Sequence, residues 1–170
     1  MSTATWLAIL WLATVGSCDL VWRRLPNPLT MGAWGAAVIL WYVSGKGLDG
    51  TVWLHCLLAG GAALGLGLIP YGLRLLGGGD VKLLVAIGLL MGPVALTVSF
   101  VVGSLLAGLS AVLVIMYRRA HPLVAVWQPW IDRFSFERGA RDPATRTARP
   151  LPYGAALAFG AAVALVGRAL

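Results

Sequence analysis

The 170-residue chain is 59% apolar and only 11% charged, with a mean hydropathy of +0.86; this excludes a soluble globular domain, whose charged share is about 25%. A formal charge of +7 would suit nucleic acid, but the basic residues gather at the ends of apolar segments and so report membrane topology. No nucleic-acid partner is expected.

A helix needs about 20 apolar residues to cross the hydrocarbon core. Six segments meet that need, at 3–22, 28–44, 51–73, 80–96, 97–117 and 151–169. The first contains "WLAILWLATVGSCD", which imitates a secretory signal, but no lysine or arginine precedes it, so it reads as a retained span. The turn "GKGLDG" separates the second from the third, whereas only Gly92 and Pro93 in "MGPVALT" divide the fourth from the fifth. Gly61 with Gly65, and Gly103 with Ala107, have the small-residue spacing that lets helices pack closely in lipid. Between the fifth and sixth spans runs a basic loop at about 118–150, with seven arginines against Asp132, Glu137 and Asp142 and with Trp127, Trp130, Phe134 and Phe136 among them. Such a composition suits a segment resting on anionic headgroups, so membrane lipid is an expected partner.

With six spans the loops alternate in side. One side receives Arg23, Arg24, Arg74, Lys82 and the seven arginines of the long loop, eleven of the thirteen basic residues; the other receives Lys46 and Arg168. The positive-inside rule then puts both termini outside and the basic loops in the cytosol. The expected fold is all-α, a single polytopic membrane domain over 1–170. Cys18, Cys56, His55 and His121 show no metal-ligand spacing, so neither a metal nor a cofactor is expected.

Of six acids, three lie in the long loop and Asp49 lies in the external turn, which leaves Asp19 and Asp80. The charge-derived topology brings both to the cytosolic face, one at the end of the first span and one at the start of the fourth. An ionisable group within a span is costly and points to function. Two carboxylates that approach closely share a proton and titrate as a coupled unit. One can then take a proton from water while the other protonates a scissile carbonyl. Gly77, Gly78 and Gly79 permit positive φ and the close approach of another backbone beside Asp80. The competing explanation is that Asp80 only caps its helix. Lys82 either anchors headgroups or tunes the acids.

These residues, in this order, resemble the type IV prepilin peptidase family of membrane aspartic proteases. The first mark is a GxGD motif followed by lysine, here Gly77, Gly79, Asp80 and Lys82 in "GGGDVKLL". The second is an aspartate ending the first helix, followed by basic residues and a Pro-Asn pair: Asp19, Arg23, Pro26 and Asn27 in "DLVWRRLPNPLT". The third is a late "PYG", here Pro152, Tyr153 and Gly154.

The resemblance implies a plasma-membrane endopeptidase that removes prepilin leader peptides after a glycine, on the cytosolic side, with Asp19 and Asp80 as the catalytic pair and a prepilin with an apolar stalk helix as the substrate. Larger members of the family carry a cysteine-rich zinc site and methylate the new N-terminus. No CxxC pair occurs here, so methylation is not expected, and the chain looks like the short peptidase-only branch serving tight-adherence (Flp-type) pili, similar to archaeal preflagellin peptidases. Two other classes remain: a non-catalytic pilus or secretion assembly protein whose acids only cap helices, and a proton-coupled transporter with acids nearer the midplane.

Overall fold

The computed structural model describes residues 3–22, 25–73, 76–120 and 153–169. It contains helices α1 (Thr3–Trp22), α2 (Asn27–Ser44), α3 (Trp53–Gly72), α4 (Gly78–Ala120) and α5 (Tyr153–Ala169). The described residues include no strand, only an isolated bridge between Lys46 and Val52. Stretches long and apolar enough to cross a membrane are Ala4–Val21, Trp53–Gly72 and Gly78–Ser110, and Tyr153–Gly167 is a shorter apolar helix. Helix α2 is of similar length but opens on the polar Asn27 and on Pro28, and is not among them. The chain divides into two compact units, Met1–Leu106 with Pro152–Leu170, and Ala107–Leu151. In the second, the described part is the C-terminal stretch of α4, where the Ser110 hydroxyl bonds back to the Ala107 carbonyl at 3.0 Å.

Helix α4 is interrupted at Gly92, whose φ of 76° and ψ of −171° are not helical. The break falls at the Gly92–Pro93 pair expected to divide the fourth and fifth spans, four residues before the span boundary set at 96–97. Gly92 can adopt that φ because it lacks a Cβ, and Pro93 brings no N–H to continue the helical ladder. The turn between α2 and α3 closes onto this break. Gly45, in the left-handed region at φ 67°, ends α2 by donating its N–H to Trp41. Leu48 N–H then donates to the Leu90 carbonyl at 2.8 Å, one of the carbonyls that a helix end leaves without an internal partner. Asp49 shapes the turn by accepting the Thr51 N–H at 3.0 Å.

The first part of α4 is the centre of the first unit. Val81, Leu83, Leu84, Val85, Ala86, Ile87, Leu90 and Met91 are all buried, as a helix apolar on every side must be. Helix α3 approaches it so closely that a Cβ on Gly88 would lie 2.9 Å from the Ala59 carbonyl carbon and from the Gly60 nitrogen. Helix α5 meets α4 beyond the break, where a Cβ on Gly160 would lie 2.8 Å from Ser99 Cα and the Ser99 hydroxyl donates to the Leu157 carbonyl at 2.7 Å. Helix α1 packs along α5. Two indoles tie α2 to its neighbours: Trp11 donates to the Leu29 carbonyl at 3.1 Å, and Trp34 to the Lys82 carbonyl at 3.2 Å.

Of the expected small-residue contacts, Gly103 faces Leu157 of α5 within the first unit. Gly61 and Gly65 do not make one among the described residues: none lies within 4 Å of a Cβ at either. The close face of α3 is instead at Gly60 and Gly67, against Leu89 and Val81. Gly88→Ala must therefore separate two backbones and should cost about 1–3 kcal/mol, whereas Gly61→Ala should change stability by about 0.5 kcal/mol or less. Thermal unfolding of the two variants in detergent checks the difference.

Candidate active site

Asp19 lies in the last turn of α1 and is buried, 6% exposed. Its carboxylate reaches across to the start of α5, where Oδ2 accepts the Ala155 N–H at 2.9 Å. The first N–H groups of a helix have no partner within it and carry the positive end of the helix dipole, so this is a favourable seat for a negative charge. Gly154 makes the seat possible. A Cβ there would stand 3.0 Å from Asp19 Oδ2, 3.1 Å from its Cγ and 3.1 Å from Leu25 Cδ1.

Asp80 is at the third position of α4. Its own N–H donates to the Gly77 carbonyl at 3.0 Å, and its Oδ2 accepts the Gly77 N–H at 3.1 Å. This is the reach-back of a capping box, in which an acid at N3 satisfies the N–H of the N-cap residue. The expected glycine turn needs correction on two points. Gly78 and Gly79 already belong to the helix, and neither they nor Gly77 has positive φ, which among the described residues is confined to Gly45, Gly50 and Gly92. What Gly79 provides is space, since a Cβ there would meet Leu25 Cβ at 3.1 Å and Cδ1 at 3.4 Å. Gly78 lies under the Tyr71 ring, whose Cε2 would be 3.4 Å from an added Cβ.

Leu25 thus touches both the residue before Asp80 and the glycine beside the Asp19 carboxylate. The second and third motifs meet the first through it. Tyr153, the first residue of α5, lies within electrostatic reach of Asp80 and shares a hydrogen bond of 3.1 Å with the Ser104 hydroxyl. Lys82 turns toward the connection between α1 and α2, donating from Nζ to Asn27 Oδ1 at 2.9 Å, while Pro26 sits at the N-cap of α2. Arg23, Pro152 and nearly all of the basic 118–150 loop lie outside the described residues. Among the described residues no three histidine, cysteine or acidic side chains gather as metal ligands.

Leu25, Trp34, Ser104 and the Ala155 N–H were not legible as site components. None is a titratable group, and a backbone N–H has no sequence signal except its place at a helix start. The cap contact has its own consequence: Asp80→Asn keeps a side-chain oxygen for the Gly77 N–H, whereas Asp80→Ala removes it and should cost about 1 kcal/mol. Comparing the thermal midpoints of the two variants measures the structural share of Asp80.

The geometry gathers the three motifs at one end of the first unit, with the Asp19 carboxylate seated against the N-terminal turn of α5 and Asp80 within the N-terminal turn of α4. A comparison with curated proteins found no match, and neither did one with solved structures. Residues 6–112, which span α1 to the region beyond the α4 break and include both acids, match the type IV leader peptidase family. With the match covering well over half of it, and with helices long and apolar enough for a membrane, the chain belongs to the type IV leader peptidase family.

Proposed function

We propose that the chain is a membrane aspartic endopeptidase that cleaves the leader from type IV prepilin-like substrates after a glycine, at the cytosolic face of the plasma membrane. Asp19 and Asp80 are its catalytic pair, and water is the nucleophile. The observation that carries the reading is the chain of contacts from the Asp19 carboxylate through Gly154 and Leu25 to Gly79, the residue before Asp80. Six spans with both termini outside remain the topology. The Gly92 break supports it by dividing the apolar stretch Gly78–Ser110 in two, and the basic residues supply the orientation.

The reaction adds water across one peptide bond. One carboxylate takes a proton from water as the water oxygen attacks the scissile carbonyl carbon, and the other, protonated, donates to the carbonyl oxygen. The tetrahedral diol collapses as the leaving nitrogen gains a proton and the C–N bond breaks. The products are a leader ending in a carboxylate and a pilin beginning with an amine. The stalk helix of such a substrate is itself apolar, so its cleavage site is met where the extended chain leaves lipid for the cytosol. That extended segment would lie beside the start of α4, where Gly78 and Gly79 carry no side chains to obstruct it.

One observation favours a second reading. Because Asp80 caps its own helix through the Gly77 N–H, it could be a cap in a non-catalytic assembly protein. Co-expression with a prepilin encoded nearby separates the two, following the size shift of the pilin on a gel. Wild type should cleave, and Asp19→Asn and Asp80→Asn should each lose at least about 10²-fold in rate while accumulating in the membrane. Normal cleavage by either variant removes the paired-acid mechanism, and normal cleavage by Asp80→Asn alone leaves Asp80 as a cap.

A further inference from the structure

We propose that Leu25 is a positioning residue: its side chain is the spacer between Gly79 and Gly154, and its volume sets the separation of the two acids. The inference deepens the reading of Asp19 and Asp80 as the catalytic pair and rests on it.

Leu25 lies in the connection between α1 and α2, half-buried and packed against the apolar core. Its Cδ1 would be 3.4 Å from a Cβ on Gly79 and 3.1 Å from one on Gly154. Both flanking residues are glycines, so no side chain of theirs occupies the gap that Leu25 fills. On one side of it the chain leads directly into Asp80; on the other, Gly154 lies against the Asp19 carboxylate, which the next residue's N–H holds.

Leu25 is held from the side of α2. Pro26 follows it, with φ −62° and ψ 129°, and a proline restricts the preceding residue to extended backbone. One residue further on, Asn27 accepts a hydrogen bond from the Lys82 ammonium at 2.9 Å, tying the start of α2 to the same helix that bears Asp80. Trp34 holds the Lys82 carbonyl from α2. A side chain with no proton to give and no charge acts on the acids through the space it fills and the water it excludes, so Leu25 should affect the catalytic step and leave substrate binding largely alone. Displacements of about 1 Å at reacting groups cost on the order of 10²-fold in rate.

The test uses the full chain purified in detergent, with a prepilin fusion carrying the leader glycine as substrate, and reads kcat and KM per mole of folded enzyme. Leu25→Ala should lower kcat by about 10- to 100-fold with KM changed by no more than about twofold. Leu25→Met, unbranched and similar in volume, should return kcat to within about threefold of wild type. Leu165→Ala, a truncation in buried α5 packing, serves as the comparator: it should lower the amount of folded protein and leave kcat unchanged.

If Leu25→Ala keeps the wild-type kcat while Asp19→Asn and Asp80→Asn are inactive, the spacer role is wrong and the acid pair stands. A loss in Leu25→Ala that Leu165→Ala reproduces per folded molecule also overturns it. Cleavage by the two asparagine variants overturns the acid pair itself, and the spacer role with it. Should Leu25→Ala fail to accumulate, Leu25→Val is read by the same criteria, with an expected loss in kcat of about 5-fold.

Discussion

Close approach of helix backbones is the constraint on which the rest of this molecule depends. In lipid, burying apolar side chains gives helices little reason to associate, and contact at short range must replace that drive. The chain meets the requirement with glycines placed where backbones touch: Gly88 against Ala59 and Gly60, and Gly160 against Ser99. Those contacts locate α4 against α3 and, beyond the break, against α5. Asp80 rides on the first turn of α4, and the seat of Asp19 is the first turn of α5. The position of each carboxylate is thus inherited from the same packing that holds the helices together.

A carboxylate in such surroundings is expensive, and the helix termini offset part of the cost. Asp19 stands in the last turn of its own helix, the end where the macrodipole disfavours a negative charge by about 0.3–1 kcal/mol. The N-terminus of α5 reverses that disadvantage by presenting Ala155 N–H to Oδ2. Asp80 finds the same kind of environment at the start of α4, through Gly77 N–H. Both acids therefore rest on backbone donors at helix starts, positions built by the fold.

How much of this was legible in the sequence follows from what each feature depends on. Helices and their limits depend on runs of apolar residues, and α1, α2, α3 and α5 begin and end within about two residues of expectation. The α4 break was visible only as a Gly-Pro pair, and its position at Gly92 is decided by tertiary contacts with Leu48 and Thr51. The Gly61 and Gly65 spacing was misleading because small-residue periodicity cannot say which face of a helix meets a neighbour. In this structure that face belongs to Gly60 and Gly67. The run Gly77 to Gly79 was legible as special, but not through positive φ, which is absent there. Gly78 and Gly79 instead give room to Tyr71 and Leu25. Leu25 carries no chemistry of its own and gave no signal.

The cap contact of Asp80 and the long-range contact of Asp19 bear differently on function. An acid at N3 that reaches back to its own N-cap is common structural grammar, so Asp80 taken alone is explained without chemistry. Asp19 is placed differently. It is buried, it sits at the unfavourable end of its own helix, and it reaches a residue 136 positions away in the chain. Asparagine would also accept the Ala155 N–H, without placing a group that can ionise in an apolar interior. What aspartate adds is the charge that the start of α5 favours, and a proton it can exchange. The ability to take up and release that proton is what peptide hydrolysis by a carboxylate pair requires.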